Sequence, residues 1–297
     1  MSLTFGTAPD SWGVWFPDNP AQPHWSQFLD EAASTGHRII ELGPFGYLPT
    51  DVNLLRDELA KRDLSLIAAT LMTPDLYSAD LFDKKIAEVR QIASLAAPLG
   101  AKYFVMMGDL YRGLDGSWNS PTAVDGAQWS QLVKTCDAVG KLVLEEFGMI
   151  LAFHPHADTV VEYSEQVDRL LDQTDSRFTQ LCLDTGHYFY RGGDSAALLR
   201  ERHSRIPYMH LKSIDSSVLK IAQEEELAFT QAVGRGVIAE PAKGGIDFSG
   251  IASVMRDVEW KGYAIVEHDM YPVASMSAPA LVSERSRQYF NSFGWKN

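Results

Sequence analysis

The chain has 297 residues, 45% of them hydrophobic, and a formal net charge of −13. That acidity repels phosphate backbones and argues against a nucleic-acid partner. No apolar run of about 18 residues is present, which excludes a transmembrane helix. The opening MSLTFGTAPDSW has no basic region followed by an apolar stretch, so a cytoplasmic protein without a secretory signal is expected.

Short β-rich runs alternate with longer helical patterns along the chain. The first strand is expected at Thr4–Ala8, followed by a helix over Trp25–Ser34 that Gly36 stops. The second strand is Arg38–Leu42, then a helix over Leu54–Arg62; the third is Leu64–Thr70, then a helix over Asp83–Leu99. Tyr103–Met107 and Ile150–His154 are the fourth and fifth, separated by a helix over Trp129–Phe147 that ends at Gly148. Gln180–Asp184, Tyr208–Leu211 and Tyr263–Glu267 complete the set, with helices at Ser164–Gln173, Ser195–Glu201 and Phe248–Arg256 between them. Asp247 is placed to cap the last of these helices. The strands are apolar almost throughout, as parallel strands covered on both faces are. About eight β-then-α units predict an α/β fold, a single (β/α)8 TIM barrel spanning residues 1–297. An open doubly wound sheet fits less well, because no dinucleotide or mononucleotide fingerprint follows the first strand. Two longer inserts, Gly108–Gly126 and Ser213–Gly245, follow strands and therefore belong to the face of a barrel that carries function. The two cysteines, Cys136 and Cys182, are not in a CxxC and read as small buried apolar residues in a reducing compartment.

The ionisable groups fall at strand ends. Strand five reads ILAFHPH and delivers His154, with His156 two residues on. Strand six, QLCLDTGH, delivers Asp184 and then His187; strand seven, YMHLK, His210 and Lys212; strand eight, YAIVEHD, Glu267 and His268. Strand two ends in Glu41. Any one of these histidines is ordinarily structural, and Asp184 taken alone is a natural helix cap. Four consecutive strands delivering such groups to one rim is a different matter. His154, Asp184, His210 and Glu267 are expected to form one cage of two imidazoles and two carboxylates. That set suits Mn²⁺, Co²⁺, Fe²⁺ or Zn²⁺ and, less well, Mg²⁺, and leaves positions open for substrate oxygens.

Six segments carry a resemblance: APDSWGVWFP at Ala8–Pro17, ELGPFGYLP at Glu41–Pro49, HPHADTVVE at His154–Glu162, LDTGH at Leu183–His187, HLK at His210–Lys212 and VEHD at Val266–Asp269. With these, nearly the whole chain resembles the xylose isomerase-like barrel superfamily of sugar isomerases and epimerases. The narrower DSWGVWFP opening resembles its dehydratase branch. The resemblance implies metal ligation by His154, Asp184, His210 and Glu267, with Mn²⁺ or Co²⁺ the foremost ions. It implies loss of water from a cyclic keto-polyol such as 2-keto-myo-inositol, through enolate formation. The alternative is a ketose isomerase or epimerase on the same site. Most epimerases of the superfamily carry Glu where this chain has His154, so one of their two proton-exchanging carboxylates is missing here. The segments AEPAKGGIDF at Ala239–Phe248 and EHDMYP at Glu267–Pro272 also depart from the dehydratase pattern, which leaves a related keto-polyol open as substrate.

The roles expected on this basis are specific. Glu267 is the base; His156 and Lys212 supply a proton or contact the enolate; Glu41 and His187 orient hydroxyls; Trp12 and Trp15 wall the ring. A small polyhydroxylated carbonyl compound is the expected partner, with no nucleic acid and no membrane; a homo-oligomer is left open.

Overall fold

The computed structural model describes residues 3–271, 273 and 278–296. Pro272, the last residue of the EHDMYP segment, lies outside them. In chain order the strands are β1 (Thr4–Thr7), β2 (Ile39–Glu41), β3 (Ser65–Thr73), β4 (Tyr103–Gly108), β5 (Ile150–Phe153), β6 (Thr179–Asp184), β7 (Tyr208–Leu211), β8 (Ser213–Ile214), β9 (Ile238–Ala239) and β10 (Tyr263–Val266). Eight of them close into an all-parallel barrel, β1 pairing with β2 on one side and β10 on the other, with β10 followed around by β7, β6, β5, β4 and β3. The expected eighth strand is thus β10. The short pair β8–β9 is antiparallel and lies within the second insert, which also folds two helices, Ser216–Glu224 and Phe229–Gly234.

Alternation along the strands sorts the side chains. Val105, Ala152, Cys182, Tyr208 and Ile265 belong to one small buried cluster, the filling of the barrel. Leu151, Leu181, Leu183, Met209 and Ala264 belong to the larger cluster beneath the surrounding helices. Because successive residues of a strand point to opposite faces, residues two further on from the filling point inward again. His154, Asp184, His210 and Glu267 each stand in that position. β1 approaches β2 so closely that a Cβ at Gly6 would lie 2.2 Å from the Ile39 carbonyl oxygen, which only glycine avoids.

A further helix, Ala278–Asn291, follows the eighth barrel strand and runs against the start of the chain. Phe290 packs on Phe5 and stacks on Trp295, while Phe5 N–H donates to the Lys296 carbonyl at 2.8 Å and Lys296 N–H to that of Leu3 at 2.7 Å. β3 runs on to Thr73 rather than ending at Thr70, and a six-residue helix, Thr185–Tyr190, starts directly from the end of β6. No helix among the described residues is long and apolar enough to cross a membrane.

Candidate metal centre and active site

Asp184 shows how one residue serves both fold and site. Its Oδ1 accepts from the backbone N–H of Gly186 at 2.7 Å and of His187 at 2.8 Å, capping the short helix. Its Oδ2 has no hydrogen-bond partner and is turned into the barrel mouth. There it lies 3.4 Å from His154 Nε2, 3.8 Å from His187 Nε2, 3.8 Å from His210 Nδ1 and 3.3 Å from Lys212 Nζ. His210 Nδ1 is in turn 3.0 Å from Glu267 Oε2, without hydrogen-bond geometry. Of the four residues expected to form a cage, Asp184 thus lies beside His154 and His210, and His210 beside Glu267.

Buried polar atoms are paired in folded proteins unless something else satisfies them. Here His154 Nδ1, Asp184 Oδ2 and His210 Nδ1 are buried and unpartnered. Sets of ligand atoms lying within 4.8 Å of one another include His154–Asp184–His187 and Glu41–His210–Glu267. Imidazole nitrogens and carboxylate oxygens are donors that divalent transition metals take. The residues present fit a metal ion.

Glu41 does something other than expected. Its Oε1 accepts from Tyr208 OH at 2.7 Å and from His210 Nε2 at 2.8 Å, and its Oε2 from Thr70 Oγ1 at 2.9 Å. It fixes the His210 ring with Nδ1 facing the cage, as carboxylates behind metal-binding histidines do. Its oxygens are engaged there rather than offered to substrate hydroxyls, although the residue still lines the cavity.

Lys212 occupies the middle of the acidic groups. Its Nζ is 3.1 Å from Glu267 Oε2, 3.0 Å from Asp269 Oδ2 and 3.0 Å from His187 Nε2. Burial opposes its charge, but the carboxylates of Asp184, Asp269 and Glu267 outweigh burial and hold the ammonium well above the usual lysine range. Burial likewise works against charge on Glu267, and His210 and Lys212 overcome it, so the carboxyl stays ionised. The lysine stem reaches this place across Gly186: a Cβ there would come within 2.7 Å of Lys212 Cγ. His156 is pushed down to about 3 by burial and by the neighbouring His154 and Lys212. Its Nδ1–H donates to the Ala157 carbonyl at 2.6 Å, leaving Nε2 as a free acceptor. At neutral pH it is a neutral imidazole that resists taking on a proton and offers Nε2 as a hydrogen-bond acceptor.

A cavity of about 610 Å³ opens over this centre and is lined by His154, His156, His187, His210, Lys212 and Glu267. Trp15 lines it; Trp12 does not. Trp12 is fully buried in the outer core, edge-on to Phe28, with Nε1 donating to Glu31 at 2.7 Å. Of the two tryptophans only Trp15, stacked on Tyr271 at 4.9 Å, is a wall of the pocket. His268 does not line it; its backbone N–H donates to Ser11 Oγ at 3.0 Å.

Two acids escaped the reading of the sequence. Asp10 and Asp269 both line the cavity, and with Glu267 they bring three carboxylates within 4.8 Å of one another. Burial, reinforced by Glu267 and Asp269, raises the Asp10 carboxyl well above its usual range. Asp269 carried a usable signal, since it stands two residues past Glu267, with the same two-residue step that separates His210 from Lys212. Asp10 was legible only as the first residue of the DSWGVWFP opening, because it lies in the short helical turn Pro9–Trp12 after β1, outside the strand alternation.

A buried network ties the loops above the site. Arg191 donates from Nη2 to Asp158 and from Nε to Glu162, both at 2.6 Å, and Tyr111 OH donates to Glu162 at 2.8 Å. Asp158 also accepts from the backbone N–H of Phe229 at 2.7 Å, and the Phe229 ring lies 4.7 Å from His187 and 5.2 Å from His156. The network thereby holds the Phe229 ring against two of the site imidazoles.

The sequence profile described as xylose isomerase-like TIM barrel matches residues 29–292. A protein of Geobacillus kaustophilus named inosose dehydratase is 30% identical over 301 aligned positions, covering 96% of this chain and 93% of the relative. Among solved structures, an L-ribulose 3-epimerase superposes with a TM-score of 0.71 at 16% identity, covering 99% of this chain and 94% of that one. The IOLI protein, solved with a bound zinc atom, superposes with a TM-score of 0.70 at 14% identity, covering 96% of each. At such identities the superpositions speak for the fold.

Proposed function

This chain belongs to the xylose isomerase-like TIM barrel family, and we propose that within it the protein is a metal-dependent lyase that removes water from a cyclic keto-polyol such as 2-keto-myo-inositol. The observation that carries the reading is the buried Asp184 Oδ2, without a hydrogen-bond partner, facing His154 Nε2 and His210 Nδ1, with His210 Nδ1 against Glu267. These four residues would hold one divalent ion, Mn²⁺ or Co²⁺ foremost. An ion bound there supplies Lewis-acid polarisation of a substrate carbonyl. Full-length similarity to a protein named inosose dehydratase supports the substrate class.

The chain's own groups divide the remaining work. Glu267, kept ionised beside the Lys212 ammonium, accepts the proton from the carbon next to the carbonyl. The Lys212 ammonium faces the negative charge that develops when that proton leaves. His156, with Nε2 free, accepts a hydrogen bond from a substrate hydroxyl, and His187 orients the ring beside it. Glu41 keeps His210 in the tautomer the cage requires, and Trp15 walls the ring. The leaving hydroxyl departs as water with a proton from the Lys212 ammonium, which the proton taken up by Glu267 replaces across their 3.1 Å contact.

The alternative is epimerisation of a ketose. It requires two bases on opposite sides of one carbon, and at the strand-five position this chain has the imidazole of His154, not a carboxylate. Incubation with 2-keto-myo-inositol and Mn²⁺ or Co²⁺ is expected to give a product lighter by one water, and chelation to stop it. An unchanged inosose, together with a ketose converted at constant mass, would overturn the dehydratase reading in favour of the epimerase.

A further inference from the structure

The cavity has two halves of opposite character. Its floor is the cage of charged and imidazole groups. Its other lining is mainly apolar, with Trp15, Phe45, Met72, Leu110 and Leu114 beside Asn119, and these come from the segments after β1 and β2, from β3 and from the first insert, away from the ends of β5, β6, β7 and β10 that carry the cage. Met72 and Leu114 remain 44% and 46% exposed, and exposed apolar side chains gathered at the mouth of a pocket mark a surface that a ligand covers. Arg112, which also lines the cavity, does not make this half an anion site. It spends Nη1 on the Glu226 carbonyl at 2.7 Å and Nε on that of Gly116 at 3.3 Å, with its guanidinium 5.0 Å from the Trp118 ring. Asp109 is turned to its own loop and accepts from Leu110 N–H at 2.9 Å.

A single polyol ring needs only the floor and one face of Trp15 beside it. The volume, about 610 Å³, falls within the roughly 300–1,000 Å³ of pockets that enclose drug-sized ligands. We propose that the physiological substrate is a keto-polyol ring carrying an apolar, ring-sized substituent, which the chamber of Trp15, Phe45, Met72, Leu110 and Leu114 receives. The inference rests on the floor being a polyol site, and it adds the class of group attached to the polyol. The first insert thereby acquires a function in recognition, since Leu110 and Leu114 are its contribution to the chamber.

The test compares 2-keto-myo-inositol with the set of its mono-benzyl ethers, on the full chain loaded with Mn²⁺. At least one ether is expected to show a KM tenfold or more below that of the parent, because an aromatic ring leaves water for an apolar wall. In Leu114→Asp, and separately in Met72→Asp, the ratio of ether to parent kcat/KM is expected to fall toward one. Both positions are partly exposed, so either variant can fold. Turnover of the parent with no ether preferred would overturn the apolar chamber and leave the dehydratase reading standing. No turnover of parent or ethers would overturn both.

Discussion

The barrel filling and the rim of the site are made by the same strands, two residues apart. Ala152, Cys182, Tyr208 and Ile265 pack inside the barrel; His154, Asp184, His210 and Glu267 follow each of them with the same inward direction. In the filling, side chains pack by apolar contact, with the Tyr208 hydroxyl donating to the rim at Glu41, and burial above all pushes the Cys182 thiol up to about 12. At the rim, burial acts on ionisable groups and is overruled by neighbours of opposite charge, so Glu267 and Lys212 both stay charged. One step along a strand thus separates packing from chemistry, and the two layers should fail in different ways.

The largest effect is expected at the rim. Asp184→Asn keeps an oxygen able to cap the short helix but gives up the anionic Oδ2. Turnover should drop by about a thousandfold or more and bound metal should disappear from elemental analysis, with thermal stability little changed. Retention of a full equivalent of metal would show that Oδ2 is not a ligand. Arg191→Met tests the loops that sit over the rim. It leaves Asp158 and Glu162 buried without their cation, and breaking such a pair typically costs about 3–5 kcal/mol. Urea unfolding should report a loss of that order; a loss below about 1 kcal/mol would mean the network contributes little to the fold.

A third test uses a histidine away from both layers. His37, bonded through Nε2 to Ser283 Oγ at 2.9 Å, is lowered from 6.5 to about 3, first by burial and then by Arg287 and Arg38. Below 6.5 the unfolded chain binds a proton that the folded chain refuses until about 3. Stability contributed here is therefore present above that window and lost as pH falls through it. At about 1.4 kcal/mol per pH unit the loss amounts to no more than about 4–5 kcal/mol. His37→Gln should flatten this part of the stability–pH curve, and an unchanged curve would assign the acid sensitivity to the rim histidines instead. The smallest effect belongs to the filling residue that touches the rim. Tyr208→Phe removes a donor from Glu41 and should cost about 1 kcal/mol of stability, while weakening metal binding about tenfold or more through His210. Unchanged metal affinity would mean that the layers act independently.

Much of this was legible in the sequence, because strand alternation is a local rule. Apolar runs followed at a fixed step by His, Asp or Glu revealed the barrel and the rim together. Residues outside strands escaped the rule. Trp12 and Trp15 look alike in DSWGVW, yet the turn after β1 sends one into the core and the other into the cavity. Glu41 was recognisable as a member of the rim, but its service to His210 depends on Tyr208, 167 residues away in sequence. The network of Arg191, Asp158, Glu162 and Tyr111 joins separate loops and has no signature at any single spacing.

Gly186 and Lys212 form a pair whose histories cannot be separate. The stem of the lysine fills the space in which a side chain at residue 186 would begin. In a library randomised at both codons, clones with a side chain at 186 should survive folding selection chiefly where residue 212 has shrunk to glycine, because the Lys212 Cβ itself lies 2.8 Å from a Cβ at 186, and those clones will have given up the central cation of the site. The DTGH and HLK segments are thus sterically coupled, and neither position can change size without the other.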